Sequence, residues 1–117
     1  MFTQLDQVKK YIREQEIVMV DLKFCDLWGR WHHVTLPSSQ FNEKTLEEGV
    51  GFDGSSVGFR SVKSGDMVLV PDLSTGSRDP FWDVPCLSFL CDTREADNLS
   101  VYTNDPRNIA KKAEAYL

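Results

Sequence analysis

The spacing of apolar residues predicts a helix at each end of the chain. Within residues 3–15, apolar side chains recur every three or four positions, which is the spacing of one helical face. Near the other end, Asp105 and Pro106 supply a cap and a first-turn proline, and Ile109 and Ala113 then share a face. No stop signal follows before the sequence ends, so we expect this second helix to continue into a further domain.

Between the helices the pattern is mostly that of strands. Residues 17–25 (IVMVDLKFC) and 30–36 predict two strands joined at the turn sequence DLWG, and thus a hairpin. Residues 40–48 predict a short helix, and apolar runs at 67–70 and 84–91 predict further strands. The order of elements predicts an α+β domain, a small mixed β-sheet with a crossing helix, flanked by N-terminal and C-terminal helices.

Composition narrows the classes of function. The 117 residues suffice for one domain, and 41% hydrophobic with 26% charged residues is ordinary for a globular protein. Thirteen basic and eighteen acidic residues give a net charge of −5, which argues against nucleic acid as the main partner. No apolar stretch reaches the roughly 18–20 residues of a membrane helix, so we expect no membrane partner. Three scattered cysteines favour reduced thiols in a cytoplasmic protein.

Two sequence motifs resemble binding sites but lack the surrounding structure that those sites need. Gly49, Gly51 and Gly54 satisfy the dinucleotide fingerprint, but that mechanism needs a strand before it and a helix start after it. In this sequence a predicted helix precedes the glycine motif, and no helical periodicity follows it, so we reject nucleotide binding at these glycines. Adjacent residues on a strand point to opposite faces, so His32 and His33 should not converge on a metal.

One loop carries an acid in an unusual setting. Residues 49–66 place Asp53 among glycines and hydroxyls, with Phe52 and Phe59 on either side, a composition that solubility alone does not require. Asp and Ser side chains commonly cap turns by bonding nearby backbone amides, which is one explanation of Asp53 with Ser55 and Ser56. The other is that the carboxylate attracts a small cation or accepts its proton. The residues by themselves leave both explanations open.

The chain resembles the N-terminal domain of prokaryotic-type (type I) glutamine synthetase along nearly its whole length. The resemblance rests on segments that occur in order: VDLKFCDLWGRWHHVTLP, LEEGVGFDGSS, SGDMVLVPD and DPRNIAKKAEAYL. It implies a β-grasp domain over residues 1–103. It also implies that residues 104–117 begin the helix that leads to a catalytic domain absent from this chain.

The resemblance also implies a function and its partners. Members of the family use ATP and magnesium or manganese ions to phosphorylate the side-chain carboxylate of glutamate, which ammonia then attacks. The sites lie between the catalytic domain of one subunit and the N-terminal domain of the next, in a homo-oligomer that is expected to be a dodecamer. No cofactor or metal is expected on this chain by itself, and we expect it to be inactive without its own catalytic domain.

Site residues follow from the same resemblance. Asp53 corresponds to the aspartate that binds ammonium and takes a proton from it, Ser56 to its neighbour, and Asp66 to an aspartate that supports the loop. Phe52 and Phe59 would anchor the loop. Four apolar residues lie in or near the loop: Phe52, Val57, Phe59 and Trp82. If the loop contacts another subunit, some of these side chains should be exposed in this chain.

Two alternatives belong beside this interpretation. A glutamate–amine ligase of the same superfamily would join glutamate to an organic amine, although such relatives commonly lack the acid of the Asp-Gly-Ser-Ser loop. A stand-alone β-grasp module would bind a protein partner through its sheet and perform no chemistry.

Overall fold

The computed structural model describes residues 2–61 and 65–117 and has α+β architecture. Its elements, in chain order, are α1 (Leu5–Glu14), β1 (Met19–Cys25), β2 (Trp31–Pro37), α2 (Glu43–Glu47), β3 (Val50–Asp53), β4 (Asp66–Pro71), β5 (Ser77–Arg78), β6 (Cys86–Glu95) and α3 (Pro106–Tyr116). Short 3₁₀ turns cover Ser38–Gln40, Gly54–Val57 and Leu73–Thr75.

The strands form one mixed sheet in the order β2-β1-β6-β4-β3, with β5 pairing onto β6. The β1–β6 pair is parallel, and β1–β2, β3–β4, β4–β6 and β5–β6 are antiparallel. The predicted mixed sheet is therefore confirmed. The hairpin of β1 and β2 and the pair of β3 and β4 lie at the two ends of this order, and the long central strand β6 joins the two halves.

The core is built mainly from the two central strands. Val20, Leu22 and Phe24 of β1 and Phe89 of β6 are almost completely buried, and Val8 of α1 packs into the same cluster. Complete burial of an aliphatic or aromatic side chain contributes about 1.5–3 kcal/mol. This core fixes the sheet from which the loop after β3 projects.

Most predicted elements are present, with shifted bounds. The predicted helix at residues 40–48 is reduced to the five residues of α2, since Asn42 caps it and Gly49 ends it with a φ of +74°. Strand β6 extends to Glu95, past the predicted end at residue 91, because its second half pairs with β4. Residues 50–53 were predicted as loop and instead form β3.

The C-terminal helix begins as predicted. The carboxylate of Asp105 accepts the backbone N–H of Arg107, and Pro106 occupies the first turn. The helix has no buried residue of its own. The guanidinium of Arg107 reaches Asp92 and Asp72, and Lys111 also bonds Asp92, so ion pairs rather than apolar packing attach this helix. The boundary between residues 103 and 104 stays a prediction.

The helices of the described residues are all too short or too polar to cross a membrane.

Candidate functional site

The two acids of the predicted site lie opposite each other where β3 ends and β4 begins. The antiparallel register pairs Asp53 with Asp66, and both residues are exposed. Opposed residues of an antiparallel pair have Cβ atoms about 4.5–5.5 Å apart, and like charges in such positions repel each other. A bound cation would reduce this repulsion. The register thus brings the two predicted acids together at one end of the β3–β4 pair.

The carboxylate of Asp53 is ordered by its own loop. Its Oδ1 accepts the backbone N–H of Ser55 at 2.9 Å and the Ser55 hydroxyl at 2.7 Å, so Asp53 caps the 3₁₀ turn that follows. The Ser55 hydroxyl, then the Ser55 amide and more weakly the Ser56 hydroxyl hold the pKa of Asp53 below its usual range. The turn-capping explanation is thus correct as far as it goes, and it leaves the carboxylate ionised and in a fixed orientation.

The far end of the loop is fastened to the body of the domain. Phe59 is 7% exposed and packs between Phe24 and Tyr102, with ring centroids 6.2 and 5.2 Å away. The Tyr102 hydroxyl donates to the Phe59 carbonyl at 2.8 Å. Arg60 makes two hydrogen bonds to Glu95, at 2.7 and 2.6 Å, with its guanidinium over the Tyr102 ring.

Phe59 is therefore an anchor, as the resemblance implied, and it is not part of an exposed surface. Of the other apolar residues in that expectation, Phe52 and Val57 are partly buried, and Trp82 is 44% exposed. The expectation that part of this set is exposed is met by Trp82, while Phe59 belongs to the buried part. The ring of Phe52 packs 4.8 Å from that of Phe24, which explains its burial.

Asp53 is among the residues that line a shallow cavity of about 310 Å³. Residues on β2, on β3 and on the turn after β3 line the cavity, among them His32, His33, Phe52, Asp53, Ser56 and Val57. Its apolar walls and few polar groups are typical of a site that orients a small ligand. The structure therefore places Ser56 beside the same cavity as Asp53, while Asp66 contributes through its position opposite Asp53 in the strand pair.

The two histidines lie on opposite faces of β2, as predicted. His32 Nε2 is 2.8 Å from an oxygen of Asp26, and the ring stacks on Phe24. His33 Nδ1 is 2.6 Å from an oxygen of Asp21. Within residues 2–61 and 65–117, no three His, Cys, Asp or Glu side chains converge as a metal site would require.

The glycine motif has the wrong surroundings for a nucleotide. The first glycine ends α2, β3 follows it, and the four-residue 3₁₀ turn after β3 provides no α-helix N-terminus for a phosphate. Lys63 and Ser64, which separate this motif from β4, lie outside the described residues.

Sequence reasoning missed the groups that hold the loop. The sequence does not indicate that Arg60, Glu95 and Tyr102 meet. Arg60 and Glu95 are 35 residues apart, and Tyr102 is 43 residues from the Phe59 carbonyl that it bonds. The strand β6 brings Glu95 next to β4, and only that pairing makes the contact with Arg60 possible. A hint was available in the loop, where an arginine directly follows the anchoring aromatic residue.

Comparisons with known proteins agree with this architecture. Among solved structures, a Plasmodium falciparum glutamine synthetase superposes with a TM-score of 0.85 over 98% of this chain and 22% of that one, at 23% identity, which supports the fold. A curated glutamine synthetase of Methylococcus capsulatus is 47% identical over 111 residues, covering 94% of this chain and 24% of the relative. A 3-hydroxylaminophenol mutase of Cupriavidus pinatubonensis is 41% identical over 118 residues, all of this chain and 25% of that protein.

The sheet, the helices and the acidic turn after β3 define a β-grasp domain. The family described as glutamine synthetase, beta-Grasp domain, matches residues 16–96. The chain therefore belongs to the glutamine synthetase β-grasp family. It spans about a quarter of the length of the curated relatives it matches.

Proposed function

We propose that this chain is the N-terminal domain of a glutamine synthetase, the ligase that joins ammonia to glutamate at the expense of ATP. In this proposal the loop after β3 enters the active site of an adjacent subunit. There Asp53 binds ammonium, Ser56 lies next to the bound cation, and Asp66 supports the loop from β4.

The observation that carries the proposal is an ionised carboxylate held in a fixed orientation beside a small cavity. Ammonium is a monocation whose four N–H groups all need acceptors. The pKa of Asp53 lies below its usual range because Ser55 bonds it twice, which keeps the negative charge at any physiological pH. Among the described residues no lysine, arginine or histidine forms an ion pair with Asp53, so its charge is available to a ligand.

ATP, glutamate and the magnesium or manganese ions of the reaction belong, in this proposal, to the catalytic domain. The described residues offer no cluster that fits a metal, so no step of the chemistry is assigned to a metal on this chain. The N-terminal domain contributes the site for the nitrogen donor. Activity then requires the domain's own catalytic partner and neighbouring subunits in a ring-shaped homo-oligomer, with a dodecamer as the expected assembly.

The test is steady-state kinetics of Asp53→Asn and Asp53→Ala in the full-length enzyme. Asparagine keeps an oxygen that accepts both bonds from Ser55 and removes only the charge, so the loop should keep its conformation. We expect the KM for ammonium to rise at least tenfold in both variants while the KM for ATP changes little, since about 1.4 kcal/mol of cation binding corresponds to a factor of ten. An unchanged KM for ammonium in Asp53→Asn would contradict the proposal.

One relative with a different named activity leaves a second candidate function open to test. The 3-hydroxylaminophenol mutase matches the whole chain at 41% identity, so similarity at this level does not by itself fix the reaction. The amine donor must therefore be tested directly, by offering the full-length enzyme ammonium and organic polyamines in competition. Preference for a polyamine would favour a glutamate–amine ligase. A full-length protein that ends near residue 117 would favour a stand-alone binding module.

A further inference from the structure

Tyr102 joins the central strand and the start of α3 to the loop after β3. The residue is 6% exposed. Its backbone N–H donates to the Thr93 carbonyl of β6 at 3.2 Å, and its carbonyl accepts the N–H of Asp105, the cap of α3, at 3.1 Å. The Asp105 carboxylate in turn accepts the backbone N–H of Thr93 at 3.0 Å. The backbone of Tyr102 is therefore fixed to β6 and α3 independently of the contacts of its side chain.

The side chain of Tyr102 contacts the loop through its hydroxyl and its ring. The hydroxyl donates to the Phe59 carbonyl at 2.8 Å, and this bond is buried. The ring centroid lies 5.2 Å from that of Phe59 and 5.0 Å from the guanidinium carbon of Arg60. A phenylalanine at this position would keep the ring contacts and lose the hydroxyl bond. The polar contact can therefore be removed without removing the packing.

Backbone hydrogen bonds connect Phe59 with the turn that Asp53 caps. The Phe59 N–H donates to the Gly54 carbonyl at 3.0 Å, and the Gly54 N–H donates to the Gly65 carbonyl, next to β4, at 2.7 Å. Gly54 directly follows Asp53 and begins the 3₁₀ turn. The Tyr102 hydroxyl is thus two hydrogen bonds from the residue after Asp53. A shift of Phe59 would move the backbone from which the carboxylate projects.

A second contact with the loop is much more exposed. An added Cβ at Gly58 would lie 2.6 Å from the Trp28 ring, so this ring packs directly on the loop. Trp28 is 67% exposed, however, and a contact open to water removes little apolar surface from solvent. Phe59 is 7% exposed, so without the Tyr102 hydroxyl its carbonyl would lose a donor in a place that water hardly reaches. We therefore expect the hydroxyl, rather than the Trp28 ring, to fix the turn.

We propose that Tyr102 is a positioning residue for the ammonium acid: its hydroxyl, acting through Phe59, holds the Asp53 turn in the orientation that binds the cation. This inference rests on the proposed function. Tyr102 touches no substrate, and Asp53 keeps both the binding of ammonium and the acceptance of its proton. A positioning role is consequential because a displacement of about 1 Å at a reacting group has large effects on rate.

The role predicts an effect on the affinity for ammonium and not on the chemical step. Without the hydroxyl bond the turn samples more conformations, and only a fraction of them presents the Asp53 carboxylate correctly. The apparent affinity for a ligand falls in proportion to the fraction of protein that is competent to bind it. Saturating ammonium selects the competent conformation again, so kcat should be retained.

The experiment compares Tyr102→Phe with Tyr11→Phe in the full-length enzyme by steady-state kinetics. Tyr102→Phe should raise the KM for ammonium about fivefold, which is within the range for the loss of one hydrogen bond between neutral groups. Both kcat at saturating ammonium and the KM for ATP should change by less than about twofold. Tyr11→Phe is the matched control. The Tyr11 ring packs on Phe2 of the N-terminal segment, and the variant should keep the wild-type KM for ammonium.

A double variant tests whether Tyr102 acts through Asp53. A residue that positions the carboxylate loses its effect once the charge is gone, so Tyr102→Phe should raise the KM for ammonium much less in an Asp53→Asn background than in wild type. A purely structural role would lower kcat, raise the KM for ATP and act equally in both backgrounds. Equal factors in both backgrounds, or equal kinetics for Tyr102→Phe and Tyr11→Phe, would overturn the assignment.

Asp53→Asn alone separates this inference from the proposed function. If it raises the KM for ammonium and Tyr102→Phe does not, the role of Tyr102 is wrong and the ammonium site stands. If Asp53→Asn leaves the KM for ammonium unchanged, the proposed function is wrong and the role of Tyr102 is wrong with it.

Discussion

Two turns of this domain are built alike and differ in one respect. Asp53 and Asp72 each cap a 3₁₀ turn, and each accepts the amide and the hydroxyl of the serine two residues on, at 2.9 and 2.7 Å from Ser55 and at 3.0 and 2.7 Å from Ser74. The second oxygen of Asp72, however, is bonded by Arg107. Asp53 has no such cation among the described residues. The same local motif thus serves structure in one place and leaves a charge unpaired in the other.

The difference separates the shape of a turn from its function. The serine bonds hold the pKa of both carboxyls below its usual range, and at Asp72 the guanidinium of Arg107 contributes to this effect. Arg107 also bonds Asp92, so the Asp72 turn is fastened to β6 and α3. Asp53 is instead paired across the strands with Asp66, a second negative charge. In the proposed function, a cation from outside the domain would complete at Asp53 what Arg107 completes at Asp72.

The largest effect is expected from moving the Asp53 carboxylate without changing it. A Cβ added at Gly65 would lie 2.3 Å from Asp53 Oδ1, so Gly65→Ala should displace the carboxylate. We expect a 10- to 100-fold loss in kcat/KM for ammonium in the full-length enzyme, since about 1 Å of misplacement has effects of this size. Gly51→Ala is the control, because nothing lies within 4 Å of its added Cβ. Equal kinetics for the two variants would show that the position of Asp53 is unimportant.

A smaller effect should distinguish the two turns in stability. Asp72→Asn weakens the charged contact with Arg107 on a partly exposed surface and should lower the free energy of unfolding by about 1–2 kcal/mol. Asp53→Asn retains the serine bonds and breaks no ion pair among the described residues, so the free energy of unfolding should stay close to that of wild type. Urea denaturation of the 117-residue chain at neutral pH measures both. If Asp53→Asn lowers the free energy of unfolding as much as Asp72→Asn does, the proposed difference between the two turns is wrong.

The smallest expected effect is a change in acid sensitivity. A carboxyl whose pKa is lower in the folded than in the unfolded state stabilises the fold at neutral pH, and this contribution is lost as the pH falls below the ordinary value near 3.8. The pKa of Asp72 is lowered in the folded state, so wild type loses this contribution as the pH falls below about 4. Asp72→Asn has no such contribution to lose, so its stability should fall less steeply with pH than that of wild type. Thermal unfolding between neutral pH and pH 2 measures this, and parallel curves would contradict it.

The sequence predicts this fold well where the signal is periodic or local. The stripe of α1, the hairpin with its DLWG turn and the cap at Asp105 all follow from neighbouring residues, and the structure contains all three. Strand β3 was missed because it is only four residues long and contains Gly51, in a glycine-rich segment whose strand conformation depends on pairing with β4.

In the candidate site, too, local features could be predicted from the sequence and tertiary contacts could not. The Asp-Gly-Ser-Ser sequence indicates Asp53, and the capping of the next turn, in which Asp53 accepts from Ser55, is a local property that residue types predict. The contacts of Asp53 with the cavity, of His32 with Asp26 and of Tyr102 with the loop depend on tertiary structure. Pairing of Asp26 with His32 was not predicted, because the strand alternation says which face a residue occupies and not what it meets there.

The central claim is that Asp53 acts in the active site of a neighbouring subunit, and complementation between two defective subunits tests it most directly. One subunit carries Asp53→Asn, and the other carries an intact Asp53 loop and an inactivated catalytic domain. At limiting ammonium each homo-oligomer should be nearly inactive, and mixed oligomers should recover activity because some sites combine an intact loop with an intact catalytic domain. Mixed oligomers that form and stay as inactive as their parents would contradict the account.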